Sequence, residues 1–506
     1  MKKKKELIII LGSLLVVVLS VTLAYFTTEI FGSGKDISLD SANLKITFSS
    51  GSGNISGVNI EPGWSSGIST FTVKNESNSA YKYNIVIKDL VNTFVTTGFL
   101  QYKITSTDGG YNMSDFKDVP KSSTQKDKVL AYSVEIAKGD THTYSVEFKY
   151  ENSSEIDQSD DMGKKLSGTL YIEKGTVDHG DYEEGTLGWQ ITDDNTAREV
   201  RTDFATTFTS TNIGTLYKAT ESIVGSSSQD VYYFAGDAKN NWVKFGGFYW
   251  RIIRTNHDSS IRLLYAGIST DTEEGYIAAS KFNSTFNDPM YVGYMYGTSG
   301  TLTSNRTNEN NSTIKDVIDT WYENNLKTNY AKYLSTNAVY CNDREVGSGS
   351  YNTASTTFDY APRIRMRTTY QPIYGCTNNK DAFSGSNSEA KLIYPIALMT
   401  ADEVKYAGGH NASLTSPYTW YYTNSDGNSI TGSTYWWILS PFRWDGYSSL
   451  LSLMDGSGNF GYLGWDGVYN TRAVRPVTSL KSCVLWKSGD GSPEKPYEIE
   501  ETESGC

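Results

Sequence analysis

The sequence predicts a chain of three parts: an N-terminal signal or anchor helix, an all-β sandwich, and a larger α+β domain. Three observations support this order. Residues 7–26 carry no charge, residues 30–174 contain runs in which apolar and polar side chains alternate, and later residues mix such runs with helical patterns. We therefore divide the chain into 1–29 (signal peptide or membrane anchor), 30–174 (sandwich), 175–189 (linker) and 190–506 (α+β domain).

The first 29 residues have the pattern of an export signal. Lys2 to Lys5 precede residues 7–26, a 20-residue stretch that as a helix is long enough to cross a bilayer core of about 30 Å. Lysines before such a segment stay in the cytoplasm, so the rest of the chain is expected outside. The protein is therefore expected at the extracellular face of the membrane through residues 7–26, or secreted if it is cleaved near Ala24.

The composition fits an exported protein and argues against a nucleic-acid partner. A chain of 506 residues suggests two or three domains. The net charge is -12 and no basic stripe follows Lys5, so we expect no nucleic-acid partner. The 37 tyrosines and 11 tryptophans supply abundant ring surface for packed cores, which is not the composition of a disordered chain.

Four runs in the sandwich part alternate with period two, as strands with one buried face do. They are Tyr81 to Ile87, Tyr132 to Ile136, Thr143 to Phe148 and Gly168 to Ile172. Motifs at 24–29, 44–48, 60–63 and 71–75 resemble the camelysin and TasA-like biofilm-fibre proteins. The resemblance implies a β-sandwich that follows an A-Y-F signal junction.

Some camelysin-like proteins are peptidases, so this activity has to be weighed. A zincin needs two histidines and a glutamate in the pattern H-E-x-x-H. This half of the chain has only His142 and His179, which are far apart. The sequence therefore does not favour a peptidase.

The stretch from Gly175 to Gly185 is polar and Gly-rich, with no apolar periodicity, and predicts a linker. Beyond it, two segments predict helices. One begins at a Ser312 cap with apolar residues on one face. The other begins at Thr400, which can form a capping box with Glu403.

The last quarter of the sequence predicts a recognition surface. Between Pro441 and Arg472, aromatic and short polar side chains are spaced by glycines. Rigid rings on Gly-rich turns present a large contact area at low entropy cost. We therefore place ligand-binding loops at 441–472. The residues predicted to contact the ligand are Arg443, Trp444, Asp445, Tyr447, Asn459, Tyr462, Trp465, Asp466, Tyr469 and Asn470.

The landmarks that flank these residues resemble a known fold. The motifs W-W-x-x-S-P at 436–441 and V-R-P at 474–476 resemble the C-type-lectin-like fold in its formylglycine-generating-enzyme variant, and a group of Tyr/Trp-rich surface domains of Gram-positive bacteria. Segments at 232–236, 245–254, 291–297 and 394–403 match that group too. The resemblance implies a C-type-lectin-like fold and exposure on a cell surface. Formylglycine-generating enzymes act through cysteines, whereas residues 440–475 contain none, so we expect no catalysis.

Several residues of this tail also have a structural interpretation. Trp436 lies among apolar residues and is expected in the core. Arg475 precedes a proline and is expected to form an ion pair at a strand end. Asp445, Asp455 and Asp466 offer oxygen ligands for Ca²⁺. Asp-Gly pairs also make turns, which we favour here, and we expect no other cofactor.

The four cysteines all lie in the second half of the chain. An oxidising exterior allows disulfides, and three pairings exist for four cysteines. We favour Cys341 with Cys376 and Cys483 with Cys506, since each closes a short local loop. Closing such a loop contributes about 3 kcal/mol.

These observations favour an exported adhesin or ligand-binding protein that displays a non-catalytic domain. The expected ligand is a glycan or a protein on a cell surface. The alternative is a structural subunit of a surface or biofilm fibre, built through the sandwich, and the third interpretation is a formylglycine-generating-like enzyme. The sequence leaves open the identity of the ligand, cleavage of the N-terminal segment, the oligomeric state and Ca²⁺ binding.

Overall fold

The computed structural model describes residues 37–39, 44–48, 54–58, 60–77, 79–223, 228–456 and 460–506. Strands predominate over helices in these ranges, as the sequence predicts. The predicted signal or anchor segment, 1–29, lies outside the described residues. Among the helices within the described ranges, none is long and apolar enough to span a membrane.

The chain divides into two compact units, Met1–Asp178 (unit 1) and His179–Cys506 (unit 2). The division falls within the stretch predicted as a linker, 175–189, but that stretch is not irregular throughout. A helix begins at Leu187 with Thr186 as its cap, and the His179 ring stacks on Trp189 at 4.6 Å. The C-terminal part of the predicted linker therefore belongs to the fold of unit 2.

Unit 1 is built from two antiparallel sheets, and the four runs predicted as strands lie in its strands. The first sheet has the order Ile37–Leu39, Leu44–Phe48, Ser69–Asn75, Thr141–Tyr150, Leu100–Ser106 and Lys117–Asp118, with Trp64–Ser65 also paired to Thr141–Tyr150. The second has the order Asn54–Val58, Lys165–Lys174, Tyr81–Asn92 and Ser122–Ile136. Burial alternates along Thr141–Tyr150, as expected for a strand with one buried face.

One hydrophobic core joins the side chains of both sheets of unit 1. Phe71 and Tyr144 of the first sheet stack at 4.8 Å, and Ile85 and Leu170 of the second sheet are fully buried in the same core. Asp161 ends a short 3-10 helix, Ser159–Asp161, and is itself buried. The apolar residues of the period-two pattern thus supply side chains to the core of this unit.

Unit 2 contains two large sheets and several short helices. The larger sheet has the order Ala197–Glu199, Thr215–Ile223, Gln229–Tyr233, Phe248–Thr255, Trp242–Phe245, Tyr497–Ile499 and Trp486–Ser488, extended by Ile261–Gly267, Pro476–Leu480, Ile396–Leu398 and Tyr374–Cys376. The other contains Ala278–Lys281, Thr471–Val474, Trp436–Trp444, Phe358–Tyr360, Val346–Ser348, Ser449–Met454 and Leu463–Gly467. Two small ribbons pair Met295–Tyr296 with Asn310–Asn311 and Tyr340–Cys341 with Ala382–Phe383.

Both helices that the sequence predicts are present in unit 2. Ser312 caps Thr313–Asn325 by accepting the backbone N–H of Lys315, and Thr400 with Glu403 forms the capping box of Ala401–Tyr406. The α-helices are Leu187–Asp194, Leu302–Asn305, Thr313–Asn325, Ala361–Ile364 and Ala401–Tyr406, with 3-10 turns at Pro289–Val292, Ala331–Tyr333 and Asn379–Asp381 and a π-helix at Arg365–Thr369.

The core of unit 2 also encloses arginines. Arg344 is fully buried and donates from Nε to Asp381 at 2.6 Å, while Arg306 reaches the same carboxylate at 2.7 Å. Arg254 and Arg262 both bind Glu403. Buried charges need such partners, because their desolvation is otherwise uncompensated.

Both predicted disulfides are present. Cys341–Cys376 and Cys483–Cys506 have Cα–Cα distances of 5.5 and 5.6 Å. The first bond ties the strand Tyr340–Cys341 to the strand Tyr374–Cys376. It therefore joins one of the small ribbons to the larger sheet of unit 2.

Candidate functional site

The predicted ligand-binding region is a three-stranded meander, defined here by Trp436–Trp444, Ser449–Met454 and Leu463–Gly467. The strands pair antiparallel in chain order. The prediction that 441–472 consists of loops is therefore wrong for most of its length. The prediction took the glycines as loop residues, but Gly464 and Gly467 lie in a strand. A Cβ on Gly464 would meet the ring of Tyr462, and a Cβ on Gly467 would meet the ring of Tyr469.

Trp444 is buried, which corrects its prediction as a ligand contact. It is 2% exposed, ends the first strand of the meander, and donates from its ring N–H to the carbonyl of Ala354 at 2.8 Å. Trp436 and Trp437 are also buried, as expected for the core. All three indoles of this strand are thus part of the frame.

Arg475 has a different environment from the one predicted. It is fully buried and binds two backbone carbonyls, those of Tyr265 at 3.0 Å and Tyr421 at 2.7 Å, with its guanidinium over the Trp436 ring. No ion pair to it occurs among the described residues. Burial lowers the pKa of Arg475 to about 9.

Two of the three aspartates considered for Ca²⁺, Asp445 and Asp466, bind other groups of the protein. Asp445 is exposed and accepts the backbone N–H groups of Tyr447 and Ser448 at 2.9 and 2.6 Å, which stabilises the hairpin turn. Gly446 in this turn has φ +90, and a Cβ there would lie 2.3 Å from the Ser355 carbonyl oxygen, so this position requires glycine.

Asp466 is half-buried and bound to Arg472 Nε at 2.8 Å and to Asn470 at 2.6 Å. Asp455 is almost completely buried. Within the part of the chain that the structure describes, no three His, Cys, Asp or Glu side chains cluster closely enough to hold a metal ion. Asp445 therefore stabilises a turn, as we predicted for these Asp-Gly pairs. Asp466 instead forms an ion pair with Arg472.

Besides Asp445, three aromatic residues among the predicted contacts are exposed on the surface: Tyr447 at 71%, Trp465 at 48% and Tyr469 at 39%. The Phe286 ring lies 5.6 Å from the Tyr447 ring and 4.7 Å from the Tyr469 ring. A Cβ on Gly467 would meet the Tyr469 ring at 2.5 Å. Gly467 and Trp465 are two residues apart in one strand and so share a sheet face, which places Tyr469 on the face of Trp465.

We call Phe286, Tyr447, Trp465 and Tyr469 the aromatic face. Trp465 lies on a paired strand, Tyr447 and Tyr469 lie on turns next to the strands of the meander, and Phe286 lies on an irregular segment whose ring contacts both tyrosines. Of the other predicted residues, Arg443, Tyr462 and Asn470 are half-buried. Asn459 lies outside the described residues.

Arginines lie beside the aromatic face and were not predicted. The Trp465 ring stacks on Phe442 at 5.5 Å, and the guanidiniums of Arg363 and Arg367 each lie 5.1 Å from the centre of the Phe442 ring. Cations over aromatic rings are attracted by the ring quadrupole. Arg367 also donates to the Tyr462 hydroxyl at 2.8 Å.

The charge of this group is not balanced locally. Arg363 and Arg443 share one carboxylate, Asp359, while Arg367 binds the neutral oxygens of Tyr462 and Leu463. Burial lowers the pKa of Arg363, and the nearby Arg443 and Arg367 act in the same direction against Asp359. We call Arg363, Arg367 and Arg443 the arginine cluster. Its three positive charges exceed the single negative charge of Asp359.

Sequence reasoning missed Phe286, Phe442, Arg363 and Arg367 for identifiable reasons. Phe286 precedes the tail by more than 150 residues, and no local pattern links it to Tyr469. The arginines alternate in Arg363-Ile364-Arg365-Met366-Arg367, which is a usable signal for a basic segment. Its placement beside Trp465 depends on the tertiary fold.

The two histidines of the α+β domain have separate environments. The His410 ring stacks on Tyr370 at 5.4 Å, and Lys405 lies 5.1 Å from the centre of the same tyrosine ring. Burial, then the charges of Lys405 and Arg367, lower the pKa of His410 to about 4. His257 Nδ1 lies 3.4 Å from Glu221.

Comparisons of the chain with models of protein families, with curated proteins and with solved structures find no match. The function is therefore argued from the residues and their geometry.

Proposed function

We propose that this protein is displayed outside the cell and recognises a ligand through the aromatic face of unit 2. Exposed rings on the strand Leu463–Gly467 and on the neighbouring turns carry the proposal. Trp465, Tyr447 and Tyr469 offer flat apolar surface, and preorganised rings bind with little loss of conformational entropy. The proposal includes a C-type-lectin-like fold for unit 2, without catalysis.

The arginine cluster indicates the chemistry of the ligand. The cluster has three guanidiniums and one carboxylate, which Arg363 and Arg443 share, so it favours a ligand with negative charge. The Phe442 ring contacts both the Trp465 ring and the guanidinium of Arg363. A glycan with acidic groups satisfies both features, since a sugar ring stacks on an indole while its carboxylate binds arginine. An acidic protein segment is the competing ligand.

Extracellular display rests on the N-terminal lysines and charge-free segment, and two disulfides agree with an oxidising environment. In this proposal unit 1 is a sandwich that presents unit 2. Its strand Ser122–Ile136 is the last described strand of its sheet and carries Lys126, Asp127 and Lys128. Charges on an edge strand oppose pairing with a second copy, which favours display over the alternative of a fibre subunit.

The test is a binding screen of residues 30–506 against arrays of neutral and acidic glycans and of cell-surface proteins. The decisive variant is Tyr447→Ser/Trp465→Ser/Tyr469→Ser. We expect it to lose binding while its unfolding free energy changes little, because these side chains are exposed. Binding should also weaken as salt rises.

A matched control replaces three exposed isoleucines elsewhere in unit 2, Ile213, Ile268 and Ile393, by serine. This control should bind as the unmodified protein does. Trp444→Ala should instead lower the unfolding free energy by about 3–5 kcal/mol. Full binding by the triple variant to the ligand found in the screen would place the site elsewhere.

A further inference from the structure

A polar cleft of about 390 Å³ lies in unit 2, on residues that the proposed recognition surface does not use. One wall is the end of the strand Thr215–Ile223 with the hairpin turn at His257 and Asp258. The other lining residues belong to the segments 337–339 and 379–387. A cavity of this volume accommodates a small organic ligand.

Half of the described lining residues are asparagines or serines, which carry neutral hydrogen-bonding groups. Asn337 and Asn379 are exposed, and their side-chain amides make no hydrogen bond to another described residue. The hydroxyls of Ser384 and Ser386 lie 3.2 Å apart. Each amide can donate and accept, and each hydroxyl can do both. Unengaged amides at a cleft wall are available to a ligand.

The two titratable side chains of the lining are held by groups outside the cleft. Asp258 accepts the Ser335 hydroxyl at 2.6 Å and the backbone N–H of Ser260 at 3.1 Å, so its carboxylate stabilises the hairpin. His257 has its Nδ1 beside Glu221, which binds Arg254 at 2.9 Å. The other ring nitrogen, Nε2, is therefore the one left for a ligand.

No lysine or arginine belongs to the described lining. A phosphate or a carboxylate would thus meet no cation there, in contrast to the arginine cluster. The charge pattern of the cleft favours a neutral ligand.

The apolar part of the lining adjoins a disulfide. Ile223, Val339 and Ala382 line the cleft and pack with Cys341 and Cys376 in one small cluster. These two cysteines are bonded to each other and lie in the strands Tyr340–Cys341 and Tyr374–Cys376. The cleft therefore combines polar side chains with a small apolar patch next to a cross-link.

We propose that this cleft is a second binding site, which takes a neutral polyhydroxylated ligand of the size of one or two sugar rings. Ring hydroxyls both donate and accept, as the amides of Asn337 and Asn379 do. The C–H surface of a sugar ring suits the apolar patch of Ile223, Val339 and Ala382. The site is independent of the aromatic face.

The experiment is saturation-transfer NMR, followed by calorimetry, on residues 30–506 with glucose, galactose, mannose and N-acetylglucosamine, with glucuronate as the charged comparison. The variant is Asn337→Leu/Asn379→Leu, which changes two exposed side chains. We expect at least one neutral sugar to bind and its affinity to fall at least tenfold in the variant. Circular dichroism checks that the variant is folded.

Two further variants separate this site from others. Asn324→Leu changes an exposed amide on the helix Thr313–Asn325, outside the cleft, and should bind the sugar normally. The triple serine variant of the aromatic face should also bind it. The proposal is overturned if no neutral sugar binds, if glucuronate alone binds, if the double leucine variant binds unchanged, or if the aromatic-face variant loses the same sugar.

Discussion

Unit 1 buries mainly aliphatic and aromatic side chains, which alternate with exposed or half-buried ones along strands such as Thr141–Tyr150. Unit 2 also buries arginines whose partners lie far along the chain. Arg262 binds a carboxylate 141 residues away, that of Glu403. In the described residues of unit 1 no lysine or arginine is buried. The core of unit 1 is therefore mainly apolar, while unit 2 combines a large apolar core with buried charged pairs.

The two cores should respond differently to mutation. An apolar core loses stability in proportion to the side-chain volume removed. A buried charged pair responds asymmetrically, because removal of one member leaves the other desolvated and unpaired. Three predictions test this comparison.

The largest expected effect is that of Asp381→Ala in unit 2. It leaves Arg344, which is fully buried, and Arg306 without their shared carboxylate, so we expect a loss of about 3–5 kcal/mol of unfolding free energy. Near-UV circular dichroism during urea unfolding reports on unit 2, which holds every tryptophan except Trp64.

The control for this variant is Glu323→Ala. Glu323 pairs with Lys327, and both side chains are about half exposed, so the loss should stay below about 0.5 kcal/mol. Equal losses in the two variants would show that burial of the pair makes no difference.

An intermediate effect is expected for Asp161→Ala in unit 1. The carboxylate accepts the Tyr150 hydroxyl at 2.7 Å and the backbone N–H of Val95, so its removal leaves buried donors unpaired and should reduce stability by about 2–3 kcal/mol. Urea unfolding followed by far-UV circular dichroism, with hydrogen exchange at Val95 as a local readout, measures the loss. Asp157→Ala, at a neighbouring exposed aspartate, should have little effect, and a similar loss there would contradict the assigned role of Asp161.

The smallest effect concerns Lys405, a cation of unit 2 that is 1% exposed and whose Nζ has no hydrogen-bond partner among the described residues. Burial, then the charge of Arg201, lowers its pKa to about 7. Above pH 7 the unfolded state binds more protons at this group, so stability should rise with pH. We expect a gain of about 1–2 kcal/mol between pH 7 and 8.5.

The variant Lys405→Met should lack this gain and be more stable than the unmodified protein at pH 7. Urea unfolding at both pH values measures the difference. An identical increase in both proteins would assign the pH dependence to other groups.

The sequence predicts unit 1 better than unit 2 for a physical reason. Period-two alternation at Thr143 to Phe148 is a local consequence of strand geometry, and capping at Ser312 and Thr400 is local too. The pairing of Arg344 with Asp381 depends on how distant segments meet, and no periodicity encodes it.

The sequence predicts the candidate site only in part, for the same reason. Glycines and rings in the tail correctly indicated that Tyr447, Trp465 and Tyr469 are exposed, but not that Trp465 lies in a paired strand. Trp444 has the same local composition around it as Trp465, yet it is buried against Ala354 from a distant segment. Exposure of a ring in a Gly-rich strand is decided by what packs against it.

The unequal burial of the tryptophans also supplies an intrinsic optical reporter. Trp465 is exposed, while every other tryptophan that the structure describes is buried or half-buried. Acrylamide in solution should therefore quench its fluorescence ahead of the rest. A molecule that settles over the aromatic face would shield this one indole, so that occupancy can be followed on the unlabelled protein in real time.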